Sequence, residues 1–186
     1  MPMTISQDKV QKSFEALKGD FGYKNVMSAP KLEKIVISTG TGKIKDKAKI
    51  AVIEDRLARI TGQKAAPRAA KKSIASFKLR EGETVGYQVT LRGEQMYNFM
   101  DKLVHVALPR TRDFRGINNS AIDEMGNLTI GVKEHTIFPE TSDEDLKDVF
   151  GLAITVVTSA KDKKEAKAFL TYLGVPFKKE DDKKKK

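Results

Sequence analysis

Residues Gln63 to Val89 constrain this chain more than any other stretch. From Gln63 through Arg80 no acidic residue occurs, while Lys64, Arg68, Lys71, Lys72, Lys78 and Arg80 all do. Ala, Ser and Gly fill most of the gaps, so few side chains would screen the backbone from a partner. After a turn at Glu81-Gly82-Glu83, Val85, Tyr87, Val89 and Leu91 alternate with Gly86, Gln88, Thr90 and Arg92, the pattern of a half-buried strand over 85–92. The whole reads as two strands joined by a long basic excursion. An excursion of like charge repels itself, and a polyanion is the partner that neutralises it. A merely solvated loop would be expected to carry interspersed acids.

The balance of charge agrees. The 186 residues carry a net charge of +10, with 39% hydrophobic and 32% charged residues, as in a globular nucleic-acid-binding protein. No apolar run approaches the roughly 20 residues of a membrane span, and no signal-peptide pattern opens the chain. Cysteine is absent, which excludes disulfides, thiolate metal ligands and cysteine nucleophiles, and fits a reducing, intracellular setting.

The remaining elements follow from periodicity and punctuation. Residues 6–18 predict an amphipathic helix capped by Ser6 and ended by Gly19, with Val10, Phe14 and Leu17 on one face. KLEKIVIS (31–38) predicts a strand running into Thr39-Gly40-Thr41-Gly42-Lys43. The glycine spacing there does not match a nucleotide-binding P-loop; a tight turn or close approach to a sugar–phosphate backbone fits better. Asp46 caps a predicted helix over 47–61 that Gly62 closes. Met96, Phe99, Met100, Leu103 and Ala107 define a helix over 94–107, with Pro109 as its stop. A loop of about nineteen residues, 109–127, carries Arg110, Arg112 and Arg115 around Phe114 and reads as a binding loop. Strands are predicted at 127–134 and 152–158, with an acidic patch at 141–148 between them. Ser159 and Asp162 predict the cap of a last helix ending at Leu173. These elements compose one α+β domain, 1–179, with helices packed on a mainly antiparallel sheet and long basic loops, followed by a disordered lysine-rich tail, 180–186.

No catalytic site is legible. His105 reads as a core histidine, His135 lies in another element, neither has a metal-ligand pattern, and the carboxylates have lysines beside them. No catalytic residue, metal or cofactor is expected. An enzyme and a generic DNA-coating protein stand as the alternatives to an RNA-binding role.

AAKKSIASFKLREGETVGYQVTLRG, EQMYNFMDKL, ALPRTRDFRGIN, GNLTIGVKEHTIFPE, ITVVTSAKDKKEA and LGVPFKK together resemble the bacterial family of large-subunit ribosomal protein five, across about residues 5–179. The resemblance implies a concave antiparallel sheet backed by helices as a two-layer sandwich. It also implies a structural role on the ribosome, anchoring 5S rRNA in the central protuberance beside 23S-type rRNA and neighbouring large-subunit proteins. Carried onto this chain, the rRNA contact falls on Ser38, Gln63, Thr90 and Arg92; the basic stretch, the polar strand face and the glycine turn add Lys64, Arg68, Gln88 and Gly40. The family usually has Asn where Ser38 stands, so a weakened or water-bridged contact is expected. Lys71, Lys72, Ser73, Phe77, Lys78 and Arg80 correspond to the loop that reaches P-site tRNA; Phe77 either stacks or pins the loop to the sheet, and its neighbours Ile74 and Leu79 favour pinning. Arg110, Arg112, Phe114, Arg115, Asp143 and Glu144 correspond to the face towards a small-subunit head protein. Neither membrane binding nor a homo-oligomer is expected.

Overall fold

A computed structural model describes residues 4–44, 46–141 and 149–178; the predicted tail and most of the acidic patch lie outside these residues. The element order is α1 (Ile5–Phe21), β1 (Leu32–Gly40), α2 (Lys47–Thr61), β2 (Ala66–Ala69), β3 (Thr84–Leu91), α3 (Gly93–Lys102), β4 (Leu128–Val132), β5 (Leu152–Thr158) and α4 (Lys163–Leu173). The strands form an antiparallel open sheet in the order β2-β3-β1-β5-β4, so the fold is α+β, as the alternation of strand and helix signals predicts.

Contacts divide the chain into two compact units. The first holds Met1–Ile35, Arg92–Ile130 and Thr155–Lys186. Within it α1 packs against α3 and α4. Thr4, not Ser6, caps α1 by accepting the Gln7 N–H, and the left-handed Gly22 ends it, three residues beyond Gly19. Ser6 is withdrawn from capping because it is buried and donates its backbone N–H to Asp101 Oδ1 of α3 at 3.0 Å.

α3 does not stop before Pro109. It continues through a π-helical turn, Leu103–Ala107, into a last turn, Leu108–Arg110. The wider turn bonds the Leu108 N–H to Leu103 O and accommodates a proline that has no N–H and whose ring crowds the preceding turn. Leu103, Val104, Ala107 and Leu108 are all buried. His105, two and a half turns beyond the buried Met96, is exposed, which corrects the expectation of a core histidine there.

The cap of α4 also differs from expectation. Asp162 stands at the N-cap without a side-chain bond, and Ser159 instead accepts the Lys31 N–H at 3.0 Å. Glu165 takes over at the start of α4: its Oε2 accepts the Lys161 N–H at 2.7 Å, and the Tyr23 hydroxyl donates to its other oxygen. The 109–127 stretch is shorter and better held than a passive loop. Ile117 bridges Phe177, Ile122 bridges Leu128, and both isoleucines are buried.

The second unit holds Val36–Leu91 and Gly131–Ile154, with α2 packed on β3 and on the turn at 139–141. Asp46 and Gly62 cap α2 as predicted. The buried histidine is His135, which accepts the Phe150 N–H at Nδ1, stacks on the Phe150 ring and lies 3.2 Å from Arg56.

Burial, then the Glu165 hydrogen bond and charge, push the Tyr23 phenol well above its ordinary 10.0. Its contribution to stability is therefore complete below pH 10 and is lost as pH climbs above that value. Tyr23→Phe should cost about 2 kcal/mol at pH 8 and show a shallower loss of stability between pH 9 and 11 than the parent, measured by urea unfolding.

Candidate nucleic-acid interface

β2 and β3 pair antiparallel, with Ala66 opposite Gln88, Pro67 opposite Tyr87 and Arg68 opposite Gly86, and an irregularity between Arg68 and Ala69. Pro67 is tolerated because β2 is an edge strand. On β3 the buried Tyr87, Val89 and Leu91 alternate with half-buried Gln88 and Thr90. On the neighbouring β1, Ile35, Ile37 and Thr39 are buried while Ser38 is half-buried and Gly40 exposed. The pleat thus leaves Gln88, Thr90 and Ser38 out of the core for one reason: their neighbours fill it.

The residues expected to meet RNA are arranged unequally. Arg68 and Gln88 come together, Arg68 Nε donating to Gln88 Oε1 at 2.7 Å, which fixes both side chains on an exposed part of the hairpin and uses one of the guanidinium's five donors. Gln63 is exposed just past the Gly62 cap, its backbone N–H held by the buried Thr61 hydroxyl at 3.3 Å. Lys64 is exposed and only loosely paired, 3.9 Å from Glu54. Glu54 also meets Tyr87, whose phenol is raised first by burial and then by the charge and hydrogen bond of that carboxylate. Arg92 is exposed but is not part of the strand. β3 ends at Leu91, and Arg92 takes the N-cap position of α3 in the other unit.

The basic excursion has its own order. The Ala70 N–H donates to Glu83 O and the Gly82 N–H to Ala70 O; farther out, Ile74 and Leu79 exchange backbone bonds at 3.0 and 3.2 Å. A single 3-10 turn, Ala75–Phe77, closes the tip, with Lys78 left-handed at φ 50°. Ser73 Oγ accepts the Glu81 N–H at 2.9 Å, a bond internal to the loop. Lys71, Lys72, Lys78 and Arg80 are exposed. Phe77 is 75% exposed, so it does not pin the loop to the sheet; the Ile74–Leu79 bridge holds the excursion instead. This bridge had a faint sequence signal, two aliphatic residues with four residues between them, which the charge pattern masked.

In the first unit Arg110, Arg112 and Arg115 are exposed around half-buried Phe114, with Asp113 left-handed at φ 55°. Gly116, at φ 89°, lets the chain pass Lys178, whose backbone N would lie 3.0 Å from a Cβ there. Asp143 and Glu144 lie outside the described residues. Among the described residues no group of acidic or histidine side chains could hold a metal ion, and no helix is long and apolar enough to cross a membrane.

Gly86 keeps β1 and β3 close: a Cβ there would meet Thr39 O at 2.5 Å. Gly86→Ala should therefore destabilise by about 1–3 kcal/mol, lowering the urea midpoint. Gly131→Ala, with nothing within 4 Å, should stay within about 0.5 kcal/mol of the parent in the same measurement.

Two family descriptions match consecutive parts of the chain: ribosomal protein L5 over residues 25–80, and the C-terminus of the same ribosomal protein family over residues 84–177. Proteins called large ribosomal subunit protein uL5 are similar across almost their whole length. That of Flavobacterium johnsoniae is 50% identical over 94% of this chain and 96% of its own. That of Geobacter sulfurreducens is 52% identical over 88% and 92%, and that of Trichlorobacter lovleyi 49% identical over 88% and 92%. With identity near one half along essentially the full fold, the chain belongs to the ribosomal protein L5 family.

Proposed function

We propose that the chain is a structural, non-catalytic constituent of the large ribosomal subunit that holds 5S rRNA against its sheet and reaches P-site tRNA with its basic loop. Family membership supports the ribosomal role. The observation that carries the RNA contact is the alternation on β1 and β3, where short polar side chains stand on the face opposite the core. Folded RNA offers a shallow minor groove lined with 2′-hydroxyls and phosphates, and Ser38, Gln88, Thr90 and Gln63 are of the size and polarity to read it by shape. Arg68 and Lys64 add backbone charge neutralisation.

Lys71, Lys72, Lys78 and Arg80 suit a surface that meets a succession of different tRNAs, because charge recognises the common phosphate chain and no particular base. Arg110, Arg112, Phe114 and Arg115 form a separate exposed basic surface, supporting a contact with a protein of the small-subunit head. Asp143 and Glu144 would belong to the same contact.

Gln63→Ala combined with Thr90→Val should weaken 5S rRNA binding by about 2 kcal/mol, roughly thirtyfold, at fixed salt in a filter-binding assay. Equal competition by random duplex DNA would instead favour a generic nucleic-acid coat. Replacing Lys71, Lys72 and Lys78 with Ala should leave 5S binding near the parent value. In P-site tRNA binding to ribosomes carrying the variant, the slope of log K against log salt should become shallower by about 2. Collapse of 5S binding in that triple variant would show the surface to be divided differently.

A further inference from the structure

We propose that Phe77 is a stacking residue, whose ring lies flat on an exposed base face at the surface of folded tRNA. The inference rests on the reading that this loop meets tRNA. Three observations carry it. The ring is 75% exposed, whereas a chain that needed Phe77 only for packing would gain by turning it inward. It is presented at the tip of an ordered loop, held by the Ile74–Leu79 backbone bridge, the Ser73–Glu81 bond and the bonds from Ala70 and Gly82. Finally, the exposed cations Lys71, Lys72, Lys78 and Arg80 occupy the same excursion.

An aromatic ring set among cations is the combination that binds nucleic acid without reading its sequence: the charges follow the phosphates, and the ring takes any base, since every base has a π-face. The left-handed Lys78 turns the chain immediately after the ring, so the loop returns to β3 without folding Phe77 back on itself. Ile74, three residues earlier in the same loop, is also exposed, at 42%. A phosphate contact alone leaves the orientation of the RNA loose. A stacked ring adds a plane and a distance, so Phe77 would position the tRNA as well as hold it.

The test uses ribosomes carrying variant chains and deacylated tRNA in the P site, with affinity followed against salt. Phe77→Ala should weaken tRNA binding about tenfold with the salt slope unchanged, because a stacked ring releases no counterions. Phe77→Tyr should retain the parent affinity, and Phe77→Leu should behave like Phe77→Ala, since it keeps apolar volume without a flat face. Thermal unfolding of each isolated chain should match the parent, the ring being outside the core. Parent-like affinity in Phe77→Ala overturns the proposal, as does full retention by Phe77→Leu, which would place the ring in an apolar protein pocket. A loss of 5S rRNA binding with tRNA binding intact overturns the tRNA assignment. If instead the triple lysine variant leaves tRNA affinity and slope untouched, the loop does not meet tRNA and the underlying reading fails.

Discussion

The pleat of β3 and β1 is the constraint on which the rest turns. Tyr87, Val89 and Leu91, with Ile35 and Ile37, point into the core and are nearly or wholly withdrawn from solvent. Each buried aliphatic side chain of this size contributes about 1.5–3 kcal/mol, so the register of these strands is strongly determined. A slip by one residue would bury Gln88 and Thr90 without partners and expose the hydrophobic set. The polar face is thus a geometric consequence of the core: hydrophobic burial on one side holds Ser38, Gln88 and Thr90 in place on the other. Gly86 adds the close approach that keeps the two strands at their spacing.

A second consequence concerns the long basic excursion. Like charges along residues 64–80 oppose compaction, and few apolar side chains there are available to offset it. Backbone hydrogen bonding supplies the order instead. The ladder of β2 and β3 continues outward through the Ala70 bonds and resumes at Ile74 and Leu79. Because the bonds run between main-chain groups, the side chains are left pointing outward, cations and ring alike. The same division of labour operates at the arginine loop, where Ile117 is tied to the Pro176–Lys178 segment while Arg110, Arg112 and Arg115 face solvent.

Local punctuation made much of this readable. Asp46 and Gly62 delimit α2 because a carboxylate can accept the first-turn N–H groups and glycine tolerates the left-handed closing residue. The alternation of β3 likewise declares which face is buried. Readings failed where a residue had a stronger distant partner. Ser6 is taken by Asp101 of α3, Ser159 by Lys31, and so neither caps its helix. β3 ends at Leu91, one position early, because Arg92 is taken as the N-cap of α3.

Strand alternation, helix periodicity, capping and charge are local properties, and from them the order of elements, the α+β class and the basic character of the surface follow directly. Contacts between residues far apart in the chain decided the remainder. Burial of His135 depends on Phe150 and Arg56, the course of α3 past Pro109 on a widened turn that keeps Leu108 in the core, and the pairing of Arg68 with Gln88 on the register of two strands. The outward ring of Phe77 belongs with them, since no local pattern distinguishes an aromatic that packs from one that is presented; only the backbone bridge beneath it does.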